Sequence, residues 1–258
     1  MSDIGWSGLA ISLLLVGVAI IISVARKLGL EWSIAWASGR ALVQLLLVGV
    51  ALDLLLEPGR PLAWSFLWVA GMIVFAAFTV HRRAREIPNL LPLALAAFAS
   101  SAIVTLGVLF GLDVFDLDAR TLIPLAGLMI GNSMTATVVV ARRVYEELRD
   151  KRAEVEARLA LGQPAPDAAR PYVRSALRTA LIPQIETTKA VGLVFLPGAM
   201  TGLILAGVEP IDAVQVQAAV MYLVLGSVAT TTSVVALGVQ RRLFTRDHRL
   251  VRMPRPAS

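Results

Sequence analysis

A chain of 258 residues that is 57% apolar and only 16% charged, with mean hydropathy +0.75, departs from soluble domains, where about a quarter of residues are charged. Its net charge of +6 and pI near 10.4 would suit a nucleic-acid binder, but the basic residues stand beside long apolar runs, where they set membrane topology. There is no Cys, which excludes disulfide frameworks, thiolate metal sites and thiol catalysis.

Seven segments approach or exceed the ~20 helical residues that cross a ~30 Å hydrocarbon core: roughly 6–25, 33–56, 62–80, 90–110, 122–141, 190–208 and 216–239. The first ends in Ser23-Val24-Ala25, small residues that resemble a signal-peptide cleavage site. A signal peptide carries its positive charge ahead of the apolar run, whereas here Asp3 precedes the run and Arg26-Lys27 follow it. The segment reads as a retained first helix with the N-terminus outside.

The second segment holds Arg40 within "ASGRALVQL", and Gln44 one helical turn later on the same face. An Arg at the centre of a span costs roughly 2.5–3.5 kcal/mol on insertion scales, so an idle role is disfavoured. Two readings stand: Arg40 snorkels to the inner headgroups, or it turns into the bundle toward carbonyls or an anionic substrate. Asp53 lies near the outer end of the same span.

In the fifth segment Gly127, Gly131 and Thr135 recur every fourth residue, and Ser133 with Thr137 repeats that spacing beside them. Small residues at this period let helix backbones approach closely in lipid. Asn132 is different, because an amide in hydrocarbon needs partners and either packs helices or lines a pathway. Arg40, Gln44, Asn132, Ser133 and Thr135 are the candidate pathway residues.

Residues 142–189 then form the one sizeable water-exposed arm. From 142 to 161 the pattern is helical, with Val144, Leu148, Val155 and Leu159 along one side. Arg142–Glu146, Arg143–Glu147, Glu147–Lys151 and Arg152–Glu156 are opposite charges four apart. Gly162 and Pro164 end this helix as a cap and breaker would, and a second amphipathic helix, about 171–182, returns the chain to the membrane. Stable charged helices projecting ~30 Å are either a solvated hairpin or a docking element. As a docking element, the arm would present the turn from Leu159 through Leu161 and Gly162 to Asp167.

Pro183 closes the arm, and "QIETTKAVG" (184–192) opens the sixth segment. Glu186 and Lys189 are placed to pair at the membrane surface, or to serve a hinge together with Pro183, Pro197 and Gly198. Gly198, Gly202 and Ala206 continue the small-residue pattern, and the seventh segment carries Gly226, Ser227 and "TTTS" from Thr230 to Ser233. A basic tail, 240–258, follows.

The loops test this count. With the N-terminus outside, the inner segments 26–32, 81–89, 142–189 and 240–258 hold 21 of the 24 Lys and Arg residues, as inner loops should. Outer loops carry Glu57, Asp113, Asp116, Asp118, Glu209 and Asp212. The expectation is an all-α polytopic membrane protein. It has seven transmembrane helices, N-out and C-in, forming a single transmembrane domain over 1–258, with a cytosolic helical hairpin between helices five and six.

An enzyme is not expected. A P-loop places a Lys directly after Gly, and none of Lys27, Lys151 or Lys189 follows a Gly. His81 and His248 both fall in inner segments, so no imidazole lies in a span. No cofactor is implied, and no metal ligand set is readable. Within the spans the sole carboxylate is Asp53, whereas borderline metals prefer imidazole or thiolate.

Two stretches point to a family. "EARLALG" (156–162), beginning at Glu156, resembles the opening of the cytosolic loop signature with which binding-protein-dependent ABC permeases dock on their ATPase; the signature's later Ile falls on Tyr172 here. The wider chain resembles the FetB (YbbM) family of bacterial ABC permeases through "GRALVQLLLVG" (39–49), "IPLAGLMIGNSM" (123–134) and "ALRTALIPQIETTKAVGLVFLPGAMTGLILAGVEP" (176–210). That resemblance implies a homodimeric permease in the bacterial cytoplasmic (inner) membrane, partnered by a separate FetA-type ATP-binding subunit. It also implies iron export as the proposed role, with plant relatives linked to aluminium tolerance. An ion-coupled secondary transporter or channel is the alternative, but it calls for intramembrane carboxylates and an inverted repeat. A purely structural membrane subunit would leave Arg40 and Asn132 without a role.

Overall fold

The computed structural model describes residues 6–57, 59–245 and 247–253. Asp3 and the end of the predicted basic tail lie outside them. The described residues are helical apart from short connections, and the chain divides after Pro61 into two compact units.

The first unit is a helical pair, α1 (Trp6–Ala25) and α2 (Glu31–Leu55). Lys27 takes a left-handed conformation at φ 52°, so Leu28 N–H returns to Ser23 C=O at 2.9 Å and α1 stops. Buried Ser23 then donates to Glu31 at 2.7 Å and fixes the entry to α2. No residue of α2 is buried, and Trp32, Trp36, Leu45 and Val50 are all mostly exposed. Such an apolar surface needs a solvent other than water.

The second unit contains α3 (Ala63–Arg83), α4 (Leu90–Gly111), α5 (Ala119–Asp150), α6 (Arg152–Ala160), α7 (Ala165–Ala190), α8 (Gly198–Leu205) and α9 (Pro210–Arg242). Helix α9 is its spine, packing against α4, α5, α7 and α8, while α3 packs on α4 and α5. One continuous core runs through them, with Phe98, Leu122, Met129, Leu148 and Val235 fully buried. Five helices (α2, α3, α4, α5 and α9) are long and apolar enough to cross a membrane, while the apolar part of α1 (Ala10–Ala25) is shorter.

Two boundaries differ from the sequence reading. The fifth segment and the first arm helix are one helix: α5 has 32 residues, or ~48 Å, and passes from apolar to charged without a break at 142. The sixth predicted segment is not one helix. Helix α7 begins at Ala165 rather than near 171 and continues through Pro183 to Ala190; residues 191–197 then turn back, and α8 has only 8 residues. Gly192, at φ +85°, and Pro197 punctuate this stretch more strongly than its hydropathy holds it together.

A capping box starts α5. Asp118 accepts Thr121 N–H at 2.8 Å, while Asp118 N–H reaches Thr121 Oγ1 at 3.3 Å. The Thr121 hydroxyl and backbone N–H hold the Asp118 carboxyl below the usual carboxylate range. A group with a depressed folded-state pKa stabilises fully above its unfolded value, and that contribution fades as pH falls through the folded one. Asp118→Ala is expected to cost about 1 kcal/mol at neutral pH and almost nothing once the wild-type carboxyl is protonated. Thermal melts of the detergent-solubilised protein at both pH values check this.

Candidate functional site

The tip of the arm is built by a helix end. At the end of α6, Gly162 N–H donates to Leu159 C=O at 2.9 Å and Gln163 N–H to Arg158 C=O at 3.1 Å, a Schellman arrangement that requires the φ of +85° at Gly162. Leu161, just before it, is 83% exposed, whereas Leu159 is half-buried against the core. Glu156 is held by Arg152 at 2.7 Å, and Asp167, in the first turn of α7, by Arg170 at 2.7 Å. The candidate coupling residues thus gather around one turn, with Leu161 and Gly162 presented and the two carboxylates paired.

The arm is stiff behind that tip. Val144, Leu148 and Val155 are fully buried, as their spacing predicts. Arg143 and Arg152 make the expected pairs with Glu147 and Glu156. Arg142, expected on Glu146, instead reaches Glu86 in the α3–α4 connection at 3.1 Å, and Lys151, expected on Glu147, pairs with Glu154 at 2.9 Å. Tyr172 on α7 donates to the same Glu154 at 2.9 Å. Lys151 first and Tyr172 second hold the Glu154 carboxyl below its ordinary range, while burial and Glu154 push the Tyr172 phenol up. This contact joins α6 to α7.

Sequence reasoning missed a third component. The C-terminal segment folds back after α9 with Leu243, Leu250 and Met253 buried, and Arg152 donates to the Val251 and Leu250 carbonyls at 3.3 and 3.2 Å. His248 Nδ1 accepts Ala165 N–H at 3.2 Å at the start of α7. A groove bordered by Arg152, Glu156, Gly162, Asp247, His248 and Arg249 results. The apolar residues Leu250, Val251 and Met253 set among the charges after Leu243 were the available signal.

The polar seam of α5 is divided between two faces. Ser133 and Thr137 point inward and are fully buried; Ser133 donates to Ser227 Oγ at 3.0 Å, and Thr137 to the Ser133 carbonyl at 2.7 Å. Ser101 and Thr105 on α4 and Thr231 on α9 complete this cluster, each hydroxyl bonded to a helix carbonyl. Such saturated contacts join helices in lipid. Gly131, Asn132 and Thr135 lie on the opposite, exposed face, where the Asn132 amide donates to Leu128 C=O at 2.8 Å. The structure therefore separates Ser133 from Asn132 and Thr135. Arg40 and Gln44 stand exposed one turn apart on α2, within the other unit.

Of the hinge candidates, Pro183 lies inside α7 without ending it, Pro197 is the N-cap of α8, and Gly198 is its first residue. Glu186 and Lys189 pair at 2.8 Å with both side chains exposed. Among the described residues no group of three His, Cys, Asp or Glu side chains gathers as a metal site.

Comparison with known proteins agrees with a membrane bundle. Residues 6–244 match the model of "Uncharacterised protein family (UPF0014)". The chain is 37% identical over 221 residues to "UPF0014 membrane protein STAR2" of Oryza sativa subsp. japonica, covering 86% of this chain and 77% of that protein. It is 32% identical over 247 residues to "Probable iron export permease protein FetB" of Escherichia coli K12, covering 94% and 93%. It is 34% identical over 242 residues to "UPF0014 membrane protein YjkA" of Bacillus subtilis 168, covering 94% and 96%. No solved structure matches. With a family match over nearly the whole chain, membrane-protein relatives and five span-length apolar helices, this multi-pass membrane protein belongs to the UPF0014 family.

Proposed function

We propose that the chain is the membrane-spanning permease subunit of an ABC exporter, acting as a homodimer with two separate ATP-binding subunits in the bacterial cytoplasmic membrane. The observation that carries this reading is the continuity of α5. One rigid helix joins the Asn132 face, at the level of the apolar span, to the charged arm, and the arm ends in the Leu161–Gly162 tip. A partner pressing on that tip moves the membrane segment with it. The permease name of the Escherichia coli relative supports the same reading, and so does its iron export role for a metal cargo here.

In this reading the chain crosses seven times, N-out and C-in, and the sixth crossing is made by α7, the 191–197 break and α8 together. The chain itself catalyses no reaction and holds no cofactor; ATP hydrolysis belongs to the partner. Co-expression with a candidate P-loop ATPase subunit, followed by affinity purification from detergent, should recover both proteins in equal amounts. Recovery of the permease alone under several mild detergents would overturn the ABC assignment.

A further inference from the structure

From sequence the Glu186–Lys189 pair belongs either at the membrane surface or at a hinge, and the packing of α7 bears on its height in the bundle. The Pro166 carbonyl, at the start of α7, accepts Gln240 Nε2 at 3.3 Å near the charged end of α9. At the opposite end Met200 N–H, in the first turn of α8, donates to buried Gln217 at 3.3 Å. Between these two anchors lie ~35 Å of α9, and α7 packs on α9 with its buried residues running from Ala165 to Ala180. The first part of α7, with Arg170, Arg174 and Arg178, belongs to the charged arm: Ser175 donates to Glu147 of α5 at 3.3 Å, five residues past Arg142. Glu186 lies ~16 Å further along α7 from Ser175, beyond the level at which α5 turns from charged to apolar. Residues 191–197 cannot carry the chain far, because Gly192 N–H bonds Phe195 C=O and Val194 N–H bonds Ala190 C=O, both at 3.0 Å.

Two independent features then need an explanation at membrane height. The first is a carboxylate and an ammonium, 60% and 67% exposed, where ionisable side chains in hydrocarbon are costly. The second is a non-helical stretch beginning one residue after α7, and irregular backbone at that depth is tolerated only inside protein or along a water-filled cavity. Water beside α7 satisfies both. Thr187 and Thr188 return their hydroxyls to Pro183 and Gln184 carbonyls at 2.9 Å, leaving lone pairs free for a solute. A lipid-like substrate would gain nothing from this set; a hydrated ion would.

We propose that the α7 segment from Gln184 to Lys189, with the break that follows it, lines a water-filled part of the translocation path for a hydrated ion. In this path the Glu186–Lys189 pair acts as a charge filter, neutral as a pair. This rests on the permease reading but not on the ATPase partnership, so its test needs neither nucleotide nor partner.

The chain lacks Cys, so Thr187→Cys supplies a lone thiol, and Ile103→Cys, on the exposed apolar face of α4, supplies a lipid-facing control. In membrane vesicles, charged methanethiosulfonate reagents should modify Cys at 187 at least about tenfold faster than at 103, since a thiolate forms only where water reaches. Adding Glu186→Gln should shift preference toward the anionic reagent, and adding Lys189→Gln toward the cationic one. Each shift should be about threefold, the size Coulomb's law gives at ~7 Å in a water-like medium. Labelling at 187 as slow as at 103 would overturn the water-filled path, and fast labelling with no opposed shift would overturn the charge filter. Failure of the wild-type chain to bind an ATPase, with labelling intact, would overturn the ABC assignment and leave this path standing.

Discussion

Gly162→Val is expected to abolish co-purification of the ATP-binding subunit while the permease inserts and folds normally. A Cβ at Gly162 would meet no atom within 4 Å, so the substitution creates no clash. The injury is confined to the backbone. At φ +85° an L-residue loses roughly 1–2 kcal/mol, and a β-branched residue more. The Schellman turn opens, and Leu161 no longer stands in its presented position. Gly162→Asn, which tolerates the left-handed region better, should retain most of the binding. Equal yields of the complex from wild type and Gly162→Val would remove the docking role from this turn.

Gly238→Leu is expected to be the most damaging single substitution for the fold of the second unit. A Cβ there would fall 2.6 Å from Leu93 Cδ2 and 3.0 Å from its Cγ, closer than side chains pack. Leu93 is nearly buried between α4 and α9 and has little room to withdraw. Overpacking of this kind costs typically about 1–3 kcal/mol, and Leu should exceed Ala. The milder Gly238→Ala should recover when combined with Leu93→Ala, because the second change vacates the space the first one needs. A coupling near zero in that double-mutant cycle, read by thermal melting in detergent, would contradict a direct contact. Gly131→Leu is the informative contrast. Its added Cβ meets nothing within 4 Å, so the same large substitution should leave the subunit's own stability unchanged.

These two glycines show what was legible in the sequence. Spacing singled out Gly127 and Gly131 as packing positions, since small residues every fourth place mark close helix approach, and Gly226 stood with them as a small residue of the seventh segment. Gly127 and Gly226 do face neighbours: an added Cβ would fall 3.2 Å from Met72 Cε and 3.6 Å from Thr105 Cγ2. Gly131 faces away, and the tightest approach is at Gly238, which no repeat announced. Spacing identifies a face of a helix, but which face meets a neighbour depends on partners distant in sequence and absent from a local window.

The arm was legible for a different reason. Its apolar stripe and Gly162 carry their information within a few residues, so Val144, Leu148, Val155 and the Schellman turn follow directly. Ion pairing was less readable, because a flexible Arg chooses among several carboxylates: Arg142 had Glu146 on its own helix and took Glu86 across the unit. Helix α7 was bounded too narrowly because Pro183 and the polar "QIETTKA" separate the arm's amphipathic pattern from the sixth apolar segment. The backbone sees no obstacle there until Gly192.

The central claim is that ATP-driven motion enters through the arm and moves ions past the membrane segments. The most direct measurement is cargo flux in proteoliposomes containing the permease and its ATP-binding subunit, with ferrous ion and a quenchable indicator. ATP-dependent movement of the ion is expected for wild type, with loss of flux and of coupling in Gly162→Val although both subunits are present. Flux of the same size without ATP, or unchanged when Gly162→Val is reconstituted together with the ATP-binding subunit, would contradict the account.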